Sequence, residues 1–345
     1  MTESRRITGF VIMFLFAAVC FAETNWNLQT VDSSGSGTTS WLSGDDKVTV
    51  EGYILNRPEY MLDGTPSYSV GPTGYTGGQW QIYIQGDETT DHAGTALWMG
   101  QNYANLPWAG GIGRYTNEQW IAELDRLNYD SRTNHRFMPG DKVRVTGLTK
   151  FYGGKTNINE RHDTDPDNDF TIELVELGAG LPTPEIITLD MVKDGNDNFK
   201  FDQTRETGCE YYQARLVRIN GVHFVNDANW APNGQLLITD GTGRTFPVLL
   251  GIGPGITAGS NNLSSTFDIV AIFDQEDGVS PNTEGYRLWV TNYDGNGQVL
   301  ADGCDMHGIF APGDINKDCI VNFEDFTSMA ADWLTCSNPL LSECQ

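Results

Sequence analysis

Residues 314–325, near the C-terminal end of the sequence, carry oxygen-bearing side chains at alternating positions. A calcium ion takes six to eight oxygen ligands. A loop of this length surrounds the ion when positions 1, 3, 5 and 9 carry acids or amides, position 7 offers a carbonyl and position 12 is acidic. The stretch therefore predicts a Ca²⁺ site, with an Asp/Asn-rich turn that binds no metal as the alternative. The predicted ligands are Asp314, Asn316, Asp318, Ile320 through its carbonyl, Asn322 and Asp325.

The residues after this loop predict a short helix. Apolar residues there fall at helical spacing and form one stripe, and they are Phe326, Met329, Ala330, Trp333 and Leu334. Loop and helix together, residues 313–334, resemble a dockerin repeat, in which an aspartate such as Asp325 is preferred at position 12. The resemblance implies calcium-dependent folding and docking to a cohesin module within a polysaccharide-degrading assembly.

Two features distinguish this stretch from a full dockerin. A full dockerin has two repeats, and the sequence contains one. Cys319 also stands at position 6, where a glycine normally permits the sharp turn of the loop. Our hypothesis is that a disulfide from Cys319 to Cys336 or Cys344 holds this turn and replaces the second repeat.

The cysteines cluster at the same end of the chain. In an oxidising compartment, clustering of this kind indicates local disulfides, and four cysteines allow three pairings. Cys209 is left over, either as a free thiol or as a partner of one member of the cluster. The disulfide candidates are Cys304, Cys319, Cys336 and Cys344.

The first residues have the pattern of a secretory signal peptide. Arg5 and Arg6 precede an apolar run that ends at Phe21 and Ala22. A basic start, a short apolar core and a small residue before the cleavage point define such signals. We therefore expect residues 1–22 to be removed and the protein to be secreted, extracellular or at the cell surface. A membrane anchor is the alternative, but the run is short for ~30 Å of hydrocarbon, and a lipoprotein signal through Cys20 is another.

The charge balance excludes one class of partner. The sequence has 21 basic and 46 acidic side chains, a formal net charge of −25. Nucleic acid binding normally depends on Lys and Arg that neutralise phosphates, so we expect no nucleic acid partner. A strongly negative field favours solubility and cation binding.

The body of the sequence predicts a mainly β protein. Short alternating apolar runs are separated by clusters of Gly, Asn, Asp and Pro. In the first half, the predicted strands are residues 47–54, 79–85, 95–99, 142–152 and 170–175. Residues 118–127 predict a helix, because Trp120, Ile121, Leu124 and Leu127 share one helical face.

Two similar segments indicate the fold of this first half. Residues 44–52 and 140–147 both read as a Gly-Asp turn, alternating valines and then a glycine that lets the strand coil. This sequence pattern resembles that of the first and fourth strands of the OB-fold. The OB-fold is a five-stranded Greek-key barrel with a helix between its third and fourth strands. The resemblance covers residues 41–177, and the predicted domain is 23–177.

The second half predicts another OB-like barrel without a helix. Residues 178–189, with two prolines and two glycines, read as a linker. The second domain, residues 190–302, has predicted strands 210–224, 235–240, 245–250, 267–273 and 286–291, with a hairpin turn at 240–244. One extended β structure is the alternative. A small α-helical calcium-loop tail, residues 303–345, completes the predicted organisation.

No catalytic residue can be named from the sequence. The histidines are scattered, and no metalloprotease, serine hydrolase, P-loop or zinc pattern is present. His162 beside Asp163 fits a metal or acid–base site, but a surface strand position is the favoured interpretation. Residues 194–202 and 163–169 read as polar loops, since Arg205 would stand at the closing position of a calcium loop that begins at Asp194.

The aromatic residues of the first domain fit either a barrel core or a binding face, and tryptophans that fill the interior of a small barrel are the commoner case. Tyr103 and Trp108 lie in a loop-like segment of the first domain and are the candidates for a ligand face. Exposed rings on OB barrels stack on sugars or bases. The sequence therefore favours a secreted, non-catalytic binding or scaffold protein, attached to an extracellular or cell-surface assembly and related to polysaccharide. The alternative is an extracellular hydrolase of glycans or nucleic acids, which a deep cleft with converging carboxylates would favour.

Overall fold

The chain is mainly β in a computed structural model, as the sequence predicts. The structure describes residues 22–67, 77–87, 89–102, 114–259, 261, 263, 266–293, 298–299, 313, 315, 326–327 and 329–330. Within these residues no helix is long and apolar enough to cross a membrane.

The first half of the chain forms a seven-stranded sheet, here called the N-terminal sheet. Its elements are α1 Asn25–Leu28, β1 Val48–Ile54, α2 Pro58–Met61, β2 Gln79–Gln85, β3 Gly94–Gly100, α3 Asn117–Asn128, β4 Lys142–Gly147, β5 Thr149–Tyr152, β6 Lys155–Ile158 and β7 Thr171–Glu176. The strand order is β5-β6-β3-β2-β1-β4-β7. Only Leu148 separates β4 from β5 along the chain, yet β5 lies at one end of the strand order and β4 lies near the other end. The two ends of the sheet must therefore be close in space, so the sheet curls round on itself.

The two similar segments of the sequence pair with each other within this sheet. β1 and β4 are antiparallel, and Val50 lies opposite Val145. Both valines are fully buried because alternate side chains of each strand enter the core. Gly147 is needed at the end of β4, since a Cβ there would lie 2.5 Å from Cβ of Phe170 and 2.6 Å from a methyl group of Ile158. The strand expected over 47–54 and the glycine bend are confirmed here, whereas the single strand expected over 142–152 is wrong: it is divided at Leu148 into β4 and β5.

The predicted helix is α3, and its start is fixed by its caps. The Thr116 side chain accepts a hydrogen bond from the Gln119 main chain, and the Gln119 side chain accepts one from Thr116. This reciprocal capping satisfies donors that the first turn leaves unpaired. Trp120 is fully buried and its Nε1 donates to the carbonyl of Gly64 at 2.7 Å. The helix therefore covers one side of the curled sheet.

The second half forms a closed five-stranded barrel, here called the C-terminal barrel. Its elements are β8 Glu185–Ile186, α4 Leu189–Val192, β9 Leu216–Phe224, β10 Gln235–Thr239, β11 Thr245–Leu250, β12 Phe267–Gln275, β13 Tyr286–Val290 and β14 Gln298–Val299. The order β9-β10-β11-β13-β12 closes through β12–β9 pairing, and β11 and β13 are parallel. The barrel predicted for this half is confirmed.

One predicted strand is wrong at its start. The expected strand over 210–224 begins at Leu216, and Cys209–Tyr212 is a turn of 3-10 helix. Ala214 has a φ of 58°, a left-handed conformation that no strand adopts. This segment leaves the extended conformation because it packs closely against the N-terminal sheet. A Cβ added to Gly94 would lie only 2.1 Å from the carbonyl oxygen of Ala214.

Several predicted features lie outside the described residues. These are residues 1–21 of the signal peptide, the ring candidates Tyr103 and Trp108, the Ca²⁺ ligands Asp314, Asn316, Asp318, Ile320, Asn322 and Asp325, and the disulfide candidates Cys304, Cys319, Cys336 and Cys344. Residues 326–327 and 329–330 are helical, in agreement with the helix expected after the loop.

Candidate functional site

The outer face of β2 is where the two halves of the molecule meet. Trp80, Ile82 and Ile84 point into the hydrophobic core that the N-terminal sheet encloses. The residues of β2 that alternate with them therefore point outward. Two of these outward residues are covered by the C-terminal barrel. The Tyr83 hydroxyl donates to Oδ1 of Asp274 at 2.5 Å, and Oε1 of Gln85 accepts from the main chain of Leu216 at 2.8 Å.

A buried ion network lies at this contact. Asp274 is fully buried, and its carboxylate lies 2.8 Å from Nζ of Lys155 and 2.8 Å from Nε of Arg287. Burial alone would raise the pKa of Asp274, but the two cations outweigh burial and the pKa is lowered. Burial and the adjacent carboxylate raise the pKa of Tyr83 well above its usual value, so its hydroxyl remains a donor. The network ties β6 of the sheet to β12 and β13 of the barrel.

Beside this network the two halves separate and leave a cleft of about 340 Å³. This volume is within the ~300–1,000 Å³ range of small-ligand sites. The N-terminal sheet supplies one wall through the outer faces of β2, β3 and β6, and the barrel supplies the other through β11 and β13. The described lining residues are Leu62, Gln79, Gln81, Ala96, Trp98, Tyr152, Lys155, Asn157, Asn159, His162, Asn233, Leu249, Glu276, Arg287 and Trp289.

Aromatic rings stand on both walls of the cleft. On the sheet wall, Trp98 lies against Gly100, whose missing side chain leaves room for the indole: a Cβ there would be 2.9 Å from it. Its ring centroid is 5.1 Å from that of His162, at an interplanar angle of 37°. On the barrel wall, the guanidinium of Arg287 lies over Trp289, 4.9 Å from the ring centroid. Trp289 is 5% exposed and covered by Arg287, so the flat apolar surface of the cleft comes from Trp98.

Unpaired amides lie beside Trp98. Gln81 is directly opposite Trp98 in the β2–β3 pairing, and Gln79 is opposite Gly100. Within the described part of the chain, the side-chain amides of Gln79 and Gln81 form no hydrogen bond, although Gln81 is only 7% exposed. The amide atoms of both side chains are open to the cleft, since neither amide is among the fully buried polar groups. These amides are therefore donors and acceptors that a polar ligand can satisfy.

The adjacent strand β6 adds further amides. Nδ2 of Asn159 donates to Oδ1 of Asn157 at 2.8 Å, and both side chains line the cleft. Oδ1 of Asn159 accepts from the main chain of Arg161 at 2.8 Å, which holds the turn that follows β6. The sheet wall thus presents a ring with amides on both flanks.

Charges in the cleft are balanced. Lys155 and Arg287 share the buried Asp274, and Glu276 at the rim lies 2.5 Å from NH2 of Arg287. Glu276 is the acidic side chain among the described lining residues. Two facing carboxyl groups are needed for glycoside hydrolysis in most families. The described lining residues therefore carry balanced charges and one carboxyl group, that of Glu276.

His162 lies in this cleft and not on a surface strand, contrary to the favoured sequence interpretation. It follows β6 in a turn in which both Arg161 and His162 have positive φ, 52° and 61°. Burial, with an added effect from Lys150, lowers the pKa of His162. The imidazole is therefore neutral near pH 7 and packs as a flat ring against Trp98.

A separate acidic cluster includes Glu160, the residue directly before this turn. Carboxylate oxygens of Glu123, Glu160 and Asp169 lie within 4.8 Å of one another. Arg126 is bound among them, 2.6 Å from Glu123, 2.7 Å from Glu160 and 3.8 Å from Asp169. Burial raises the pKa of Glu160 to about 7 against the opposing effect of Arg126. The hydroxyl of Tyr115 also donates to Glu160 at 3.1 Å.

This cluster has the properties of an internal ion pair. Glu160 has no exposed surface, so a substrate cannot reach it. The guanidinium of Arg126 is already paired with these carboxylates, and its positive charge repels a cation. Perturbed pKa values also arise in structural ion-pair networks. The cluster anchors Glu160 and thereby the turn that carries Asn159 and His162 into the cleft.

Two other sequence interpretations have a clear outcome. Residues 194–198 form a polar turn, as expected: Oδ1 of Asp194 accepts main-chain hydrogen bonds from Asn196 and Asn198 at 2.8 and 2.9 Å. Cys209 is a free, buried thiol that donates to the carbonyl of Val192 at 3.3 Å. It is a core residue and does not take part in a disulfide.

Apart from His162, the residues of the cleft were not identified from the sequence, although the sequence contains a signal for them. In residues 79–85 the alternate positions are Gln79, Gln81, Tyr83 and Gln85, all amides or hydroxyls. A solvent-facing strand face usually contains charged residues too. Amides and a tyrosine without any charge indicate a face that is covered.

Neither a known protein-family model nor a curated protein matches this chain.

Proposed function

We propose that the protein is a secreted, non-catalytic binding protein that holds a neutral saccharide in the cleft between the N-terminal sheet and the C-terminal barrel. The observation that carries this proposal is the pairing of Trp98 with the unbonded amide of Gln81 on the neighbouring strand. A sugar ring has an apolar face of C–H groups and a rim of hydroxyls. An indole can stack on the C–H face, and an amide beside it can form hydrogen bonds with the hydroxyls.

The polar groups of the cleft suit hydroxyls. A glutamine or asparagine amide both donates and accepts hydrogen bonds, as a hydroxyl does. Gln79, Gln81 and Asn157 bring such groups to one wall, next to the Trp98 ring. Tyr152, 49% exposed, adds a further ring at the rim.

Charge supports a neutral ligand. The cations of the cleft are already neutralised by Asp274 and Glu276. The net charge of −25 disfavours an approaching polyanion over a distance of about the Debye length. The same balance argues against the alternative of a hydrolase, since Glu276 is already bound to Arg287.

The C-terminal residues extend this proposal. The dockerin-like stretch 314–325 would bind Ca²⁺ and attach the protein to a cohesin-like or other cell-surface protein. Residues 1–22 would direct export. Saccharide binding by the body and attachment by the tail together describe a component of an extracellular, polysaccharide-related assembly.

Trp98→Ala is expected to weaken saccharide binding about five- to thirtyfold, because ring stacking contributes about 1–2 kcal/mol. The measurement is a screen of the mature protein on an array of neutral and uronate-containing glycans, followed by titration calorimetry with the neutral oligosaccharides that bind. Gln81→Ala should weaken binding in the same direction.

Trp41→Ala is the matched control. Trp41 is a half-buried tryptophan that packs on the same core as Trp98 and does not line the cleft. Equal affinity in Trp98→Ala and Trp41→Ala, or no glycan bound by the wild type, would contradict the proposal.

Asp314→Ala is expected to abolish or weaken calcium binding at least tenfold, because it removes the first ligand of the predicted loop. Titration calorimetry of the full chain with CaCl₂ measures this. Asp194→Ala is the control, since Asp194 lies in a similar polar turn that bonds to its own main chain. Wild-type protein without a saturable calcium heat, or Asp314→Ala with unchanged heat, would rule the site out.

A further inference from the structure

A second cavity of about 570 Å³ lies directly beside the cleft, on the outer side of the C-terminal barrel. Three residues line both cavities: Leu249 on β11, Glu276 after β12, and Arg287 on β13. Since the same side chains form the end of one cavity and the beginning of the other, the two adjoin. Neither cavity alone exceeds the size of a small-ligand site.

The outer face of β10 and β11 forms much of the second cavity. Gln235 lies opposite Leu249, and Leu237 lies opposite Pro247. Leu237 is 42% exposed and the neighbouring Val225 is 54% exposed. An outward face of an antiparallel sheet is usually polar, so this apolar strip with one amide is unusual. It repeats the composition of the cleft, an apolar surface with an amide beside it.

The junction between the cavities carries no net charge. Nε and NH2 of Arg287 are engaged by Asp274 and Glu276, at 2.8 and 2.5 Å. A chain that crosses the junction therefore meets a closed ion pair and not a free charge. A neutral saccharide chain adds no charge at this point, whereas a chain with a charge on every unit would place one against the pair.

We propose that the cleft and the second cavity form one groove that binds an extended, unbranched neutral saccharide chain of several units. This inference rests on the proposed saccharide function and specifies its ligand as a polymer segment. One end of the saccharide chain stacks on Trp98, and its middle units cross Leu249 and Arg287. Its far units lie on Leu237 and Pro247 and form hydrogen bonds with Gln235.

The test is a length series. Calorimetry with β-1,4-linked gluco-, xylo- and manno-oligosaccharides of two to six units should give affinity that rises with length, by at least tenfold from the shortest to the longest of the series that binds. Leu237→Asp should remove most of this gain and leave affinity for the disaccharide unchanged. Gln235→Ala should act in the same direction without introducing a charge. Trp98→Ala should weaken all lengths.

Leu177→Asp is the matched control, because Leu177 is another exposed leucine, 64% against 42% for Leu237, and lies outside the groove. Thermal unfolding of each variant checks that the fold is kept. Affinity independent of length, with Trp98→Ala still weakening binding, would overturn the groove and leave the proposed function standing. Absence of binding by every oligosaccharide in the series and on the array would overturn both.

Discussion

Asp274→Ala is expected to lower the free energy of unfolding by about 3–5 kcal/mol, because it leaves two buried cations without their counter-charge. Lys155 is 7% exposed and the side chain of Arg287 is 17% exposed, so water compensates little. The Tyr83 hydroxyl also loses its acceptor. Urea unfolding followed by tryptophan fluorescence measures the change.

Asp274→Asn separates charge from shape. It keeps the volume of the side chain and one acceptor oxygen, so a large loss in this variant too would assign the effect to the missing charge. Glu276→Gln is the control, because it removes the other carboxylate that pairs with Arg287. The side chain of Glu276 is 41% exposed, and an exposed ion pair contributes about 0–1 kcal/mol. A loss in Asp274→Ala no larger than that in Glu276→Gln would contradict the argument.

This network also bears on the cleft. Because Asp274 orients Lys155 and Arg287, which line the cleft, its loss should weaken saccharide binding in protein that is still folded. Binding measured well below the unfolding midpoint separates this effect from lost stability.

The protein is expected to lose stability as pH rises from about 4.5 to about 7, by up to about 3 kcal/mol from Glu210 alone. Glu210 is 1% exposed, and burial raises its pKa from 4.5 to about 7, against the smaller opposing effects of Tyr286 and Gln213. Its Oε1 accepts from the hydroxyl of Tyr286 at 2.5 Å, while its Oε2 is buried without a hydrogen-bond partner.

The direction follows from proton uptake. The folded-state pKa of Glu210 lies above the unfolded-state value, so folding binds a proton between these two pH values. The contribution is complete below pH 4.5 and is lost as pH passes 7, where the buried carboxylate must ionise. Glu160 adds a change of the same sign, since burial raises its pKa to about 7 as well.

Glu210→Gln isolates this contribution, because the amide is uncharged at every pH. Urea unfolding at a series of pH values from 4 to 8 should show a smaller fall for Glu210→Gln than for the wild type. Glu206→Gln, an exposed glutamate of the same segment, is the control and should follow the wild type. Parallel curves for Glu210→Gln and the wild type would show that Glu210 does not titrate in this range.

Local features of the fold were predictable because they depend on neighbouring residues. The valines of residues 48–50 and 143–145 alternate with polar residues, so each strand has one core face whatever surrounds it. The helix at Asn117–Asn128 was readable from its apolar face. The echo between the two Gly-Asp segments indicated the first and fourth strands of one fold, and the structure adds that β1 and β4 pair.

The error at residues 210–215 has a tertiary cause. The segment alternates apolar and polar residues, which favours a strand, but the close approach of Ala214 to Gly94 requires a turn. Contacts between segments over a hundred residues apart override local propensity.

Alternation in the sequence established that Gln79, Gln81 and Tyr83 share a face, and that this face is opposite to the core. Only the tertiary structure decided that the barrel covers half of that face and leaves the other half open as a cleft. Period-two alternation identifies which side chains point together, but it carries no information on what a distant part of the chain places against them. The cleft arises from that placement, because Trp98 and Gln81 come from one half of the molecule and Arg287 and Trp289 from the other.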